Sequence, residues 1–233
     1  VRPESLVAAT LACALAMLAC TTGPPAPAAG RSTLAGHVRL VPPAAASGGN
    51  AGGAYGDRRM RDVSRVDYSR PGFAVVYVDG APEDVRPGPT VHVTIVDGTV
   101  RPAVDPADQA LRAGDRLVVH NAARTAHVIS LPELGVLTTL APDDRLEVPV
   151  ERPGALALHL LDHPGVSARL FVASGPFGRV SGDGRYAIAD LAPGRHRVHV
   201  WHPRLPPASR TVELRADTVE RLDWALGVAA HEE

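Results

Sequence analysis

Cysteine is nearly absent: the 233-residue chain holds two, Cys13 and Cys20, both within its first twenty positions. The rest of the chain can form no disulfide, thiolate nucleophile or thiolate metal site, so any metal must rest on histidine, carboxylate or weaker donors. Lysine is missing altogether, since all 24 basic residues are arginine. That excludes Schiff-base, P-loop and Ser-Lys chemistry. The arginines are scattered among 25 acidic residues for a formal net charge of -1. No dense basic run offers a surface to nucleic acid or an anionic membrane, and no nucleic-acid partner is expected. Gly-x-Ser-x-Gly, His-Glu-x-x-His and any motif pairing two carboxylates for acid-base work are also lacking. The expectation is a protein that is not an enzyme. Helix signals are almost absent; PADQALRAG, residues 106–114, offers at most one or two turns.

Hydrophobic residues make up 45% of the chain, enough for real cores in one large or two small domains. An apolar run over residues 6–18 is too short to span a bilayer as an ordinary helix and closes on Met17-Leu18-Ala19-Cys20. Residues 1–20 thus read as an export signal. Its ending resembles the lipobox of bacterial lipoproteins, which implies lipidation at Cys20 and a periplasmic or outer-membrane location; Thr21 after the cysteine is similar to the outer-membrane sorting pattern. Pro, Ala and Gly then dominate residues 21–33, a flexible tether. Residues 42–57 cannot bury enough side chain to offset their ordering entropy and read as a mobile loop.

From residue 72 onward nearly every segment alternates or is β-branched: FAVVYV (73–78), TVHVTIV (90–96), RLVVH (116–120), RLEVPV (145–150), ALALHL (155–160) and RLFV (169–172). Asp-Gly and Pro-Gly pairs punctuate them. The fold class expected is all-β, two antiparallel β-sandwich domains.

Two family patterns emerge on these residues, and they are nested. GRVSGDGRYAIADLAPGRHRVHVWHPRLPPASRTVEL (178–214) resembles the carboxypeptidase regulatory-like family, a prealbumin-type sandwich with a carbohydrate-binding-like fold. LAGHVRLV (34–41) and FAVVYVDG (73–80) look like that family's opening strands. Between them, RPGALALHLLDHPGVSARLFV (152–172) and GDRLVVHNAARTAHVIS (114–130) resemble the closing hairpin and the first-histidine loop of a cupredoxin Greek key. The combination is similar to secreted cupredoxin-like proteins associated with methylamine utilisation. The implied organisation is a regulatory-like sandwich over residues 34–86 plus 175–226, a cupredoxin-like domain inserted over 87–174, and a tail over 227–233.

Carried over by position, the resemblance places His127 and His163 where the two imidazole ligands belong. Leu160 then stands at the cysteine position and Val166 at the methionine position. A blue-copper centre needs a short copper–thiolate bond, which leucine does not provide. Two readings remain: His127 and His163 as relic loop residues, or a three-ligand Cu(II) or Zn(II) site completed by His159, His120 or Asp162. Strand alternation turns His159 away from the side on which Leu160 lies. Near the C-terminus His199 and Trp201 share one strand face, and His196 and His202 the other; His199, Trp201 and His202 form a candidate binding surface for a glycan or protein. The sequence thus leads to a non-catalytic, lipid-anchored envelope module that binds a glycan or protein partner and carries no cofactor. The alternative is copper binding or electron transfer through the residual histidines.

Overall fold

The computed structural model describes residues 23–43, 66–80, 90–98 and 102–228. The expected export signal with Cys20, most of the 42–57 segment and residues 87–89 lie outside the described residues. The fold is all-β: seventeen strands, one 3-10 turn at Pro132–Leu134 and no α-helix among the described residues. No described helix is long and apolar enough to cross a membrane, which says nothing of membrane β-barrels.

Chain order and strand pairing diverge. Strands β1 (Ser32–Leu40) and β2 (Val75–Val78) pair only with strands near the C-terminus: β1 with β13 (Arg185–Leu191), β16 (Thr218–Arg221) and β17 (Trp224–Leu226), and β2 with β12 (Phe177–Arg179) and β14 (Gly194–His202), beyond which β15 (Leu205–Leu214) pairs with β14. One sheet runs β13-β1-β16 with β17 also on β1, and the other β12-β2-β14-β15. Leu34, Val38, Val76, Ile188, Val198 and Val200 fill the space between them, none more than 3% exposed. Tight apposition is built in at Gly36, where a β-carbon would lie 1.9 Å from the Leu222 carbonyl oxygen. We call this the flanking unit.

The central unit lies between these segments: β3 (Thr90–Val96), β4 (Ala103–Asp105), β5 (Asp108–Arg112), β6 (Arg116–Asn121), β7 (His127–Leu131), β8 (Val136–Leu140), β9 (Arg145–Pro149), β10 (Gly154–Leu160) and β11 (Ser167–Ala173). They form two sheets, β5-β11-β10-β7-β8 and β4-β3-β6-β9. Most ladders are antiparallel, but β3 runs parallel to β6 and β5 to β11. Val93, Ile95, Leu117, Val119, Ile129, Leu158 and Leu170 are fully buried between the sheets. Each such side chain contributes roughly 1.5–3 kcal/mol relative to leaving it in water.

Two sequence expectations are corrected. The stretch 106–114 forms no helical turn; it contains β5, which pairs in register with β11 from Arg169↔Asp108 to Ala173↔Arg112. Leu111 enters the central core and Ala110 the contact with the flanking unit, and Arg169 donates to both oxygens of Asp108, through Nε at 3.0 Å and Nη2 at 2.7 Å. Two burials on opposite faces suit a strand, and tertiary pairing overrides the weak helix preference. The tether also ends earlier than expected, because Ser32 and Thr33 already belong to β1 and are fully buried.

The units meet along an aromatic seam. Its members include Phe73, Phe171 and Phe177, all three phenylalanines of the chain, with Tyr77 and Trp201. Trp201 stacks on Phe171 at 4.3 Å between centroids and meets Phe73 edge-on at 5.7 Å; Tyr77 approaches Phe171 at 5.3 Å. In a chain with only nine Phe, Trp and Tyr residues, five concentrate where the largest apolar contact per residue is needed.

Candidate metal-ligand corner

One end of the central unit is organised by a buried asparagine. Asn121, fully buried at the end of β6, donates through Nδ2 to the carbonyls of Thr125, Leu140 and Ala141, and its Oδ1 accepts from the Ala123 N–H. Two of these bonds engage the 122–126 loop, at the Ala123 N–H and the Thr125 carbonyl, and the other two tie it to the end of β8. The loop then delivers His127 to the head of β7 with its side chain sealed from solvent.

The second histidine comes from the turn between β10 and β11. The His163 N–H donates to the Leu160 carbonyl, the Val166 N–H to the His163 carbonyl and the Leu160 N–H to the Val166 carbonyl. Gly165 takes the positive φ of 92° that the turn requires. Asp162 staples this turn to β7: Oδ1 accepts from the Val128 N–H at 3.2 Å, and Oδ2 lies 2.8 Å from His127 Nδ1 and 3.6 Å from His163 Nε2. The two rings stand 5.2 Å apart at 61°. One ligand atom from each of His127, Asp162 and His163 falls within a 4.8 Å cluster. His127 is buried, while His163 and Asp162 remain about one-third exposed and open the cluster to solvent.

Electrostatics keep the carboxylate charged. Partial burial pushes the Asp162 carboxyl up, but hydrogen bonds from His127 and from the Asp162 and Val128 backbone, with the attraction of the His127 ring, outweigh it and hold the pKa below the ordinary 3.8. The far side of the buried ring is also engaged, with His127 Nε2 3.3 Å from Thr125 Oγ1. That second partner fixes the orientation of the ring, as outer-shell groups do for ligating histidines.

The donor set does not fit a blue-copper centre. Leu160 is 2% exposed and belongs to the central core, and Val166 packs against the same core. Hydrocarbon fills the places that would supply the thiolate and the weak axial ligand. His159 points outward, exposed on β10, and His120 is half-buried on β6; among the described residues neither belongs to the ligand group. Asp162 does, and Thr125 is a contributor that spacing did not reveal, although Asn121 at the end of β6 was its signal.

The second histidine region behaves otherwise. Trp201 is half-buried in the seam, and His199 stacks on Tyr77 at 4.9 Å. His199 Nε2 lies 2.9 Å from Asp79 Oδ1, at ion-pair distance but out of line for a hydrogen bond. His202 is 7% exposed, with Nδ1 accepting from the Arg204 N–H at 3.2 Å. Burial, reinforced by Arg169, holds its imidazole below the ordinary 6.5 against an opposing hydrogen bond to Pro71; Arg204 adds to the lowering. The expected binding surface of His199, Trp201 and His202 is therefore taken up inside the protein, Trp201 by the seam and the two histidines by neighbours within the flanking unit.

No protein-family model and no curated protein matches the sequence. Solved structures similar to it include a purple cupredoxin from Nitrosopumilus maritimus, at 19% identity over 36% of this chain and 99% of that one, with a TM-score of 0.32. A pseudoazurin from Methylobacterium extorquens AM1 is 17% identical over 36% of this chain and 75% of its own, with a TM-score of 0.31. A reduced amicyanin variant is 14% identical over 42% and 97%, again at 0.31. The similar structures are thus copper-protein folds matched over about two-fifths of this chain. Likeness at this level assigns no activity.

Proposed function

We propose that the protein is an exported, non-catalytic envelope module whose central unit holds one divalent transition-metal ion, Zn(II) or Cu(II), through His127, Asp162 and His163. It does not carry electrons. The observation that carries this reading is Asp162 Oδ2, placed between two imidazole nitrogens, 2.8 Å from one and 3.6 Å from the other. Two nitrogens and one carboxylate oxygen form a donor set suited to borderline divalent ions and leave a position for water. The buried His127 anchors the site, and the partly exposed His163 admits the ion. The run over residues 6–20 supports export and lipidation at Cys20. A protein partner in the envelope remains part of the reading; a glycan docked on Trp201 does not, because that ring already stacks on Phe171.

Calorimetric titration of the purified protein with Zn(II) tests the site. One equivalent should bind, and Asp162→Asn and His163→Gln, both at partly exposed positions, should each weaken binding by about 10- to 100-fold or more. Unchanged affinity in both variants would refute the assignment. Mass spectrometry of the mature N-terminus tests lipidation: a diacylated Cys20 supports the anchor, and an unmodified Cys20 or a cut elsewhere removes it.

A further inference from the structure

The edges of the sheets are unequally protected. A strand that ends a sheet leaves a row of unpaired N–H and C=O groups, and charged side chains or proline along it oppose the addition of another strand. Strands β4, β5, β9, β12, β13, β15 and β16 each end a sheet, and each carries at least one arginine, aspartate or glutamate; β9 and β15 add proline. Strand β17 is uncharged, but Trp224 and Leu226 are each 2% exposed and Arg210 of β15 lies over the Trp224 ring. The exception is β8, VLTTL, which has neither charge nor proline. Among the described residues no strand pairs with its outer edge.

The ladder determines which groups that edge presents. The Leu161 N–H donates to the Val128 carbonyl and the Val128 N–H to Asp162 Oδ1, so Val128 turns both backbone groups toward β10. Alternation then turns those of Ile129 toward β8, where its partner is Thr138. Leu137 and Thr139, on either side of Thr138, therefore direct their N–H and C=O groups outward from the edge. Their side chains are exposed too, and Leu137, at 67%, is the most exposed large apolar residue among those described.

We propose that β8 pairs antiparallel with β8 of a second copy of this chain, about a two-fold axis through Thr138. This register sets Leu137 opposite Thr139 of the second copy and Thr139 opposite its Leu137, and residues so placed exchange both N–H···O bonds. An isologous contact brings any lone charge near the axis against its own copy, as Arg210 in the middle of β15 would be; β8 has none. The pairing also adds Leu137 of the second copy to the cross-strand row of Leu161, Val128 and Thr139, of which Leu161 is 52% exposed. The two Leu137 side chains become diagonal neighbours. An edge of five residues buries less than the roughly 800 Å² per partner of a stable dimer, so the association is reversible.

Sedimentation equilibrium of the intact protein from about 1 μM to about 1 mM tests this pairing. Wild type should pass from monomer to dimer as concentration rises. Leu137→Lys gives this edge the kind of charge that the others carry and should weaken association about tenfold or more. Adding Thr139→Glu to Leu137→Lys should restore it, because each lysine then faces a glutamate of the second copy. Both substitutions fall on exposed side chains, and far-ultraviolet circular dichroism should match wild type in each variant. A monomer at every concentration would overturn the proposal and leave the edge to an extended segment of another protein. A dimer indifferent to Leu137→Lys, or a loss that Thr139→Glu does not reverse, would overturn it as well.

Discussion

Two histidine-rich regions of this chain have similar composition and opposite fates. At the corner of the central unit, His127 and His163 converge on one carboxylate, and the group stays open on one side. Along β14, His199 and His202 are each absorbed by protein partners, His199 by Tyr77 and Asp79 and His202 by Arg204. What separates them is where the backbone turns. A corner built from two loops lets side chains from distant positions meet around a space, whereas a strand sends successive side chains to opposite faces and packs both.

The sharpest way to break this contrast is to remove the seam. Trp201→Ala should cost about 2–3 kcal/mol in chemical denaturation, because a large stacked ring leaves an unfilled space, yet Zn(II) affinity should not change. A loss of metal binding in that variant would couple the regions and defeat the distinction. Asp162→Asn should cost about 1–2 kcal/mol, since the amide nitrogen leaves a bond unmade to His127 or Val128, and here metal affinity should collapse with it. His163→Gln should fall within about 0.5 kcal/mol of wild type in stability, its side chain being partly exposed and its backbone bonds intact, while metal binding is lost.

Acid sharpens the comparison from the other side. The folded state holds His202 below 6.5, so its neutral form is favoured on folding. Its contribution is full above the unfolded value and drains away as pH falls from about 6.5 through the lower folded value. Asp162 is also depressed, and its contribution persists until pH drops below the ordinary 3.8. Thermal melting against pH should therefore show two steps. The upper one should flatten in His202→Gln, and the lower one, shared with the depressed carboxyls of Asp67, Asp183 and Glu220, should shrink in Asp162→Asn. A single step unaffected by either variant would contradict the assignment.

Much of the fold was legible because alternation is a local property. TVHVTIV over residues 90–96 coincides with β3, and ALALHL at 155–160 falls one residue short of β10. The stretch 106–114 misled because its strand character comes from β11 rather than from its own residues. The small strands β16 and β17 were missed for the same reason, being defined by parallel pairing to β1. At the corner, the absence of sulfur was visible directly in Leu160 and Val166. The carboxylate was visible only as one of three completions, because which of His120, His159 and Asp162 reaches the rings depends on how two loops meet.

The electronic and paramagnetic spectra of the protein loaded with one equivalent of Cu(II) test the central claim most directly. A nitrogen-and-oxygen site at His127, Asp162 and His163 should give a stoichiometric, pale complex with a tetragonal signal that disappears in His163→Gln. An intense visible sulfur-to-copper charge-transfer band, or a signal indifferent to that substitution, would contradict it.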